Sequence, residues 1–176
     1  MKSAHKMILL VALVCAAPFV SAWVAYYFIK PQGGGSYGRL LETRPLAPLA
    51  LSASDAEKWG GKWRMVMAVD DECAAECREA LHATRQARTM LGRERERLIR
   101  VVIAANGLDS ALLAEHPDLI VFSTPVTLPD AWQLLLKHGV FLVDPLGNQV
   151  ILWPKNPDIK KLNQDLARLL RASRIG

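Results

Sequence analysis

The pattern of apolar and polar positions divides the chain into two unlike parts. Met7 to Ile29, MILLVALVCAAPFVSAWVAYYFI, is 23 residues without a charge. As a helix rising ~1.5 Å per residue it is ~35 Å long, enough to cross a bilayer with some tilt. Pro18 is tolerated inside a membrane helix. Trp23, Tyr26 and Tyr27 fall toward the C-terminal end, where an interfacial aromatic belt belongs. The same stretch has the parts of a cleaved signal peptide, with Val20-Ser21-Ala22 as the small-residue cleavage site. The apolar run continues past Ala22 to Ile29, which favours an uncleaved anchor. Cys15 follows Val14 where a lipidation site wants a small residue, so it reads as an ordinary membrane residue.

Beyond the anchor, Pro31-Gln-Gly-Gly-Gly-Ser-Tyr-Gly38 is a flexible tether. Arg39 to Ser54 carries Pro45 and Pro48 and predicts an extended arm lying on the following domain. From Trp59 the pattern becomes regular. Gly60-Gly61 is a turn, Lys62–Val69 a buried strand, and Cys73–Leu91 a helix stopped by Gly92. Leu98–Ala104 is a second strand, Asn106–Ala114 a loop and short helix, and Leu119–Phe122 a third strand. Pro129–Lys137 predicts a short helix. Val140–Val143 and Gln149–Trp153 form a hairpin about the turn at Asp144–Asn148. Asp158–Ala172 closes as an amphipathic helix, with Ile159, Leu162, Leu166, Leu169 and Leu170 at helical spacing. Strands alternating with helices predict an α/β sheet with helices on its faces, and the hairpin adds antiparallel pairing. This order fits a thioredoxin-like domain, a central mixed sheet with flanking helices, preceded by one transmembrane helix. The expected organisation is a basic N-terminus (1–6), a signal anchor (7–29), a tether and arm (30–54) and the thioredoxin-like domain (55–176).

Charge narrows the partners. The 176 residues carry a formal charge of +5, yet Lys2, Lys6 and Lys30 are the only charged residues before Tyr37. That leaves 19 of the 22 basic residues and all 17 acidic ones in the domain, which is nearly balanced and no nucleic-acid binder. Lys2 and Lys6 precede the anchor, and Lys30, Arg39 and Arg44 follow it, so the positive-inside count is close to a tie. A very short basic N-terminus before an apolar run has the form of a signal anchor, which places Tyr37–Gly176 outside the cytoplasm. The arginines at 78, 85, 88, 93, 95, 97 and 100, interleaved with Glu79, Glu94 and Glu96, suit a solvated face better than a docking face. Trp59, Trp63, Trp132 and Trp153 suit packing.

The candidate chemistry is Cys73-Ala74-Ala75-Glu76-Cys77, where the first strand hands over to the first long helix. Cysteines at i and i+4 share a helix face. A helix N-terminus favours negative charge and so stabilises thiolates, while Asp70, Asp71 and Glu72 act the other way. Thiolates are both the nucleophiles of disulfide exchange and soft ligands for Cu(I). An exported domain with two cysteines also suits a structural disulfide. A regular helix holds these side chains too far apart for one, so closure requires distortion at the helix start. Copper binding, thiol redox chemistry and a structural bridge therefore all remain open. Cys-x-x-Cys oxidoreductases have one residue fewer between their cysteines. A peroxidatic cysteine lacks its Thr or Ser three residues upstream. A zinc site lacks a second cysteine pair.

The anchor, the tether, Gly61-Lys62-Trp63 opening the first strand, the Cys73/Cys77 pair, Phe141-Leu-Val-Asp-Pro-Leu-Gly147 before the hairpin and the ending LLRASRIG together resemble the Sco/SenC family, in its divergent proteobacterial subgroup. The resemblance implies a thioredoxin fold facing the periplasm from a bacterial inner membrane. It also implies delivery of copper to, or reduction of thiols at, the copper-binding subunit of cytochrome c oxidase. It makes Cys73 and Cys77 the redox pair and the copper ligands, with His138 in the place nearest a third ligand. The family's prolines are replaced here by Ala74 and Ala75, and Leu136 occupies the closest aligned position of the family histidine. His5, His82 and His116 fit that role less well. Against these departures stands a second reading, a non-enzymatic thioredoxin-fold scaffold of oxidase assembly whose cysteine pair is structural or degenerate.

Overall fold

The computed structural model describes residues 2–28, 35–48, 57, 60–69, 73–104, 106–122 and 128–176. They form two units, 1–35 and 36–176. Ile29, the tether residues 30–34, the end of the arm at 49–54, Trp59 and the acidic run 70–72 lie outside the described residues. Helix α1 runs from Lys2 to Phe28. Within it Ala4–Tyr26 has a mean hydropathy of 2.4 and no residue buried inside the protein, so it is long and apolar enough to cross a membrane. Cys15 is an exposed, unpaired thiol on this helix.

In the second unit, the arm contributes β1 (Arg39–Leu40) and the core strand is β2 (Trp63–Val69). Helix α2 (Ala75–Thr89) and a 3-10 helix (Gly92–Arg97) lead to β3 (Leu98–Ala104). Helix α3 (Ser110–Glu115) leads to β4 (Leu119–Phe122). Helix α4 (Asp130–His138) precedes the hairpin β5 (Val140–Val143) and β6 (Gln149–Trp153), and α5 (Ile159–Ala172) follows. The six strands form one sheet in the order β1-β6-β5-β2-β3-β4. β3 pairs in parallel with β2 and β4. β5 is antiparallel to both β2 and β6.

The central strands are buried on both faces, which is why they read as nearly continuous apolar runs, broken only by the buried Arg64 of β2 and Arg100 of β3. Trp63, Met65, Met67 and Val69 of β2 face α2 and α5, packing on Leu81, Leu162, Leu166 and Leu170. Val66, Val101, Phe141 and Leu152 face the other way, onto Trp132, Leu135 and Leu136 of α4 and Leu46 of the arm. Trp63, Trp132 and Trp153 are all buried, as packing residues should be. The α2–α5 layer is bolted to the arm by one carboxylate. Asp165 accepts hydrogen bonds from the Tyr37 amide (3.2 Å), the Gly38 amide (2.8 Å) and Trp153 Nε1 (2.9 Å).

Three expectations change. The arm is extended, but it also joins the sheet: β1 pairs antiparallel with β6, and Pro45 bridges Asn148. Helix α2 begins at Ala75, leaving Cys73 and Ala74 outside it. Three of the seven arginines are pinned rather than solvated. Arg100 is 1% exposed and donates to the Leu81 carbonyl, Thr84 Oγ1 and Asp118. Arg88 also pairs with Asp118, at 3.2 Å. Arg97 donates to the carbonyls of Leu170, Ser173, Ile175 and Gly176 and pairs with Glu94. A charge count cannot distinguish an arginine facing water from one aimed at unsatisfied carbonyls after a helix end.

Candidate functional site

β2 ends at Val69 and the chain enters α2 through Cys73 and Ala74. Ala74 is the N-cap, extended at φ −64° and ψ −179°, and supplies no side-chain hydrogen bond to the first turn. That extended residue solves the closure problem. On a regular helix the Cβ atoms of i and i+4 residues stand about 5–6 Å apart, whereas a disulfide needs about 3.5–4.5 Å. With Cys73 outside the helix and Cys77 in its first turn, their Cα atoms approach to 5.1 Å and the two sulfurs are bonded. Both cysteines are half-buried against the α2–α5 side of the core. The amides at the start of α2, which Ala74 does not cap, direct the positive end of the helix toward this pair, and Glu76 in the first turn partly offsets it.

Strand pairing assembles the surroundings. β5 runs antiparallel to β2 with Val66 opposite Phe141, so the start of β5 lies beside the carboxyl end of β2. β6 runs antiparallel to β5 with Trp153 opposite Val140, which brings the chain after β6 to the same place. A cleft of about 510 Å³ opens there beside Cys77, walled by Met67, Val69, Ala80, Leu128, Leu136 and Val140, with Glu76, Gln133, Lys137 and Lys155 as its polar groups. Crevices beyond the carboxyl ends of strands are where open α/β sheets bind ligands. Gly139 is required at the junction of α4 and β5. Its φ is +154°, and a Cβ there would stand 2.0 Å from the Trp153 carbonyl oxygen. Cys73 lines a separate pocket of about 290 Å³ with Ala74, Arg78, Gly107, Leu108, Asp109 and Leu112.

The structure thus brings Cys73 and Cys77 together. His138 is the last residue of α4 and is exposed; Leu136 and Lys137, not His138, line the cleft beside Cys77. Among the described residues no three His, Cys, Asp or Glu side chains are grouped so as to hold a metal ion. His82 lies on the exposed face of α2, and His116 is buried at the end of α3. Lys155 and Gln133 were not visible as site residues in the sequence. Nothing local marks them, because the packing of α4 carries Gln133, and the register of β5 and β6 carries Lys155, to Cys77.

Residues 63–173 match the family described as transmembrane-like, thioredoxin-like, C-terminal domain. The chain belongs to this family, and its second unit is thioredoxin-like. Two solved structures share the fold. The solution structure of apo Sco1 from Thermus thermophilus is 18% identical, with a TM-score of 0.55 over 80% of this chain and 98% of that one. The crystal structure of Arabidopsis thaliana ScoI with copper bound is 17% identical, with a TM-score of 0.50 over 66% of this chain and 88% of that one. No curated protein matches the sequence.

Proposed function

We propose that this chain is a membrane-anchored, Sco-like accessory factor for the copper centre of cytochrome c oxidase, from a divergent proteobacterial subgroup. In this reading α1 anchors it in a bacterial inner membrane and the thioredoxin-like domain faces the periplasm. The partner is the copper-binding subunit of the oxidase, and copper is cargo rather than a resident cofactor. The observation that carries the reading is the bonded Cys73–Cys77 pair at the start of α2, beside an open cleft, on a fold shared with Sco proteins.

The bonded form cannot take copper, because its sulfurs have no charge to donate as thiolates. Reduction exposes two soft ligands suited to Cu(I) at a helix N-terminus. The same step makes the pair a dithiol able to reduce a partner disulfide, so redox state gates both activities. His138 would complete a three-ligand site only if the C-terminal turn of α4 carried it to the cysteines on loading. The exposed position of His138 and the lack of any three-ligand cluster among the described residues favour the two-thiol chemistry over a histidine-dependent site. The same observations keep the scaffold reading alive as the competitor.

Anaerobic Cu(I) titration of the reduced, detergent-solubilised chain separates these readings, with Cys15→Ser as background to remove the thiol on α1. The reading expects one equivalent taken up tightly, and none by Cys73→Ser/Cys77→Ser. Equal uptake by both proteins would remove the copper role. An unaltered affinity in His138→Ala would remove the histidine from the ligand set. Oxidase activity that survives loss of both cysteines would favour the scaffold.

A further inference from the structure

The two cysteines of the bridge line different pockets. Cys77 lines the 510 Å³ cleft, and Cys73 lines the 290 Å³ pocket. Sites that bury a ligand generally have about 300–1,000 Å³; among the described residues the Cys77 cleft falls within that range and is the roomier of the two. Its walls are apolar, and among the described residues its charged groups are Lys137, Lys155 and Glu76, a net of one positive charge. Lys137 and Lys155 are exposed, so their ammonium groups stand at the rim. A ligand complementary to these features has an apolar body and a carboxylate.

We infer that the partner of the bridge is a cysteine peptide with an apolar and an acidic residue beside its thiol, and that it attacks at Cys77. This inference rests on the thiol-exchange half of the proposed function: it names the class of thiol that reopens the bridge, so that the dithiol can then reduce a partner disulfide. The peptide thiolate bonds to Cys77 Sγ, the bond to Cys73 breaks, and Cys73 leaves with the electron pair as a thiolate. A second peptide thiolate then attacks the peptide sulfur of the mixed disulfide. A peptide disulfide departs and Cys77 is released as a thiolate. Two peptide thiols are oxidised, one protein disulfide is reduced, and the protons of the two peptide thiols pass to the new cysteine thiols. Lys137 and Lys155 are positioning residues that hold the peptide carboxylate, and their attraction weakens as salt rises.

The test uses the oxidised full chain in detergent with Cys15→Ser, and two probes: N-acetyl leucyl-cysteinyl-aspartyl amide and its lysyl counterpart. The acidic peptide should open the bridge about tenfold faster at low ionic strength, the lower end of electrostatic steering. The preference should shrink with salt and reverse in Lys137→Glu/Lys155→Glu. With the disulfide-linked dimers of the same peptides, Cys73→Ser should trap the acidic peptide on Cys77, and Cys77→Ser should trap it several-fold more slowly. Equal rates for the two peptides, or faster trapping on Cys73, overturn the inference and leave thiol exchange standing. A bridge that neither peptide opens overturns both.

Discussion

At the residue scale, the buried charged groups between α2, β3 and β4 make the domain's stability sensitive to pH. Burial pushes the Arg100 guanidinium down to about 10, and the Asp118 carboxylate opposes that fall. His116 is only 4% exposed, and its Nδ1 has no hydrogen-bond partner among the described residues. Burial lowers its pKa first, then Arg100 and Arg85 lower it further, against Asp118 and Glu115. The folded protein therefore holds this imidazole neutral where the unfolded chain, with an ordinary value of 6.5, protonates it. Below that value the unfolded state binds more protons, so stability is present above it and is lost as pH falls. Urea midpoints measured from pH 7 down to pH 5 should fall less steeply in His116→Gln than in the parent. Parallel slopes would show that His116 has no part in the acid sensitivity. His116 was readable in the sequence as a loop histidine, but its burial beneath Arg100 depends on β3 and β4 lying side by side.

At the scale of elements, the arm shows how a short segment acquires structure from its neighbours. β1 has two residues, too few to be stable alone. It is held by β6 on one side and by Asp165 of α5, whose carboxylate accepts the amides of Tyr37 and Gly38. Tyr37 is fixed further by the Asp158 amide donating to its hydroxyl, and the Lys161 ammonium stands 5.5 Å from its ring centre. Asp165→Ala removes one acceptor from three donors at once, including the fully buried Trp153 indole. Bonds to a charged acceptor are each worth about 1.5–3 kcal/mol, and part of the loss is recovered by water, so the expected cost is about 3 kcal/mol. Asp165→Asn should cost less, because one acceptor oxygen remains. Urea denaturation checks the stability, and amide exchange at Tyr37 and Gly38 should accelerate in parallel. A loss below about 1 kcal/mol would mean the arm is held by other contacts.

At the scale of the molecule, the question is whether the Cys73–Cys77 bridge holds the domain together. It links residues four apart in sequence. Loop-closure entropy for so short a loop amounts to about 2 kcal/mol, against about 5–15 kcal/mol for a folded domain. The buried residues of the two cores do not include the bridge, whose half-buried cysteines pack against one of them. Reduction should therefore leave the far-UV spectrum unchanged and lower the unfolding free energy by no more than about 2 kcal/mol. Such a result fits a pair that cycles between dithiol and disulfide. Unfolding on reduction would instead make the bridge a structural staple and favour the scaffold reading.

The sequence by itself determined which segments form the layers. β3, β4, β5 and β6 have the expected limits, because each is a short, predominantly apolar run bounded by polar or turn residues. The hydrophobic positions of α5 likewise announce the face that packs, as Leu162, Leu166 and Leu170 are all fully buried. The cysteine pair was legible because its spacing is local. What the tertiary structure decided was everything that depends on register between distant strands. It turned an extended arm into an edge strand and gave Arg97 and Arg100 carbonyls to hold. It placed Cys77, Lys137 and Lys155 around one cleft while leaving His138 exposed outside it. Periodicity reports which way a side chain faces from its own element. Only the packing of elements fixes which other side chains it meets.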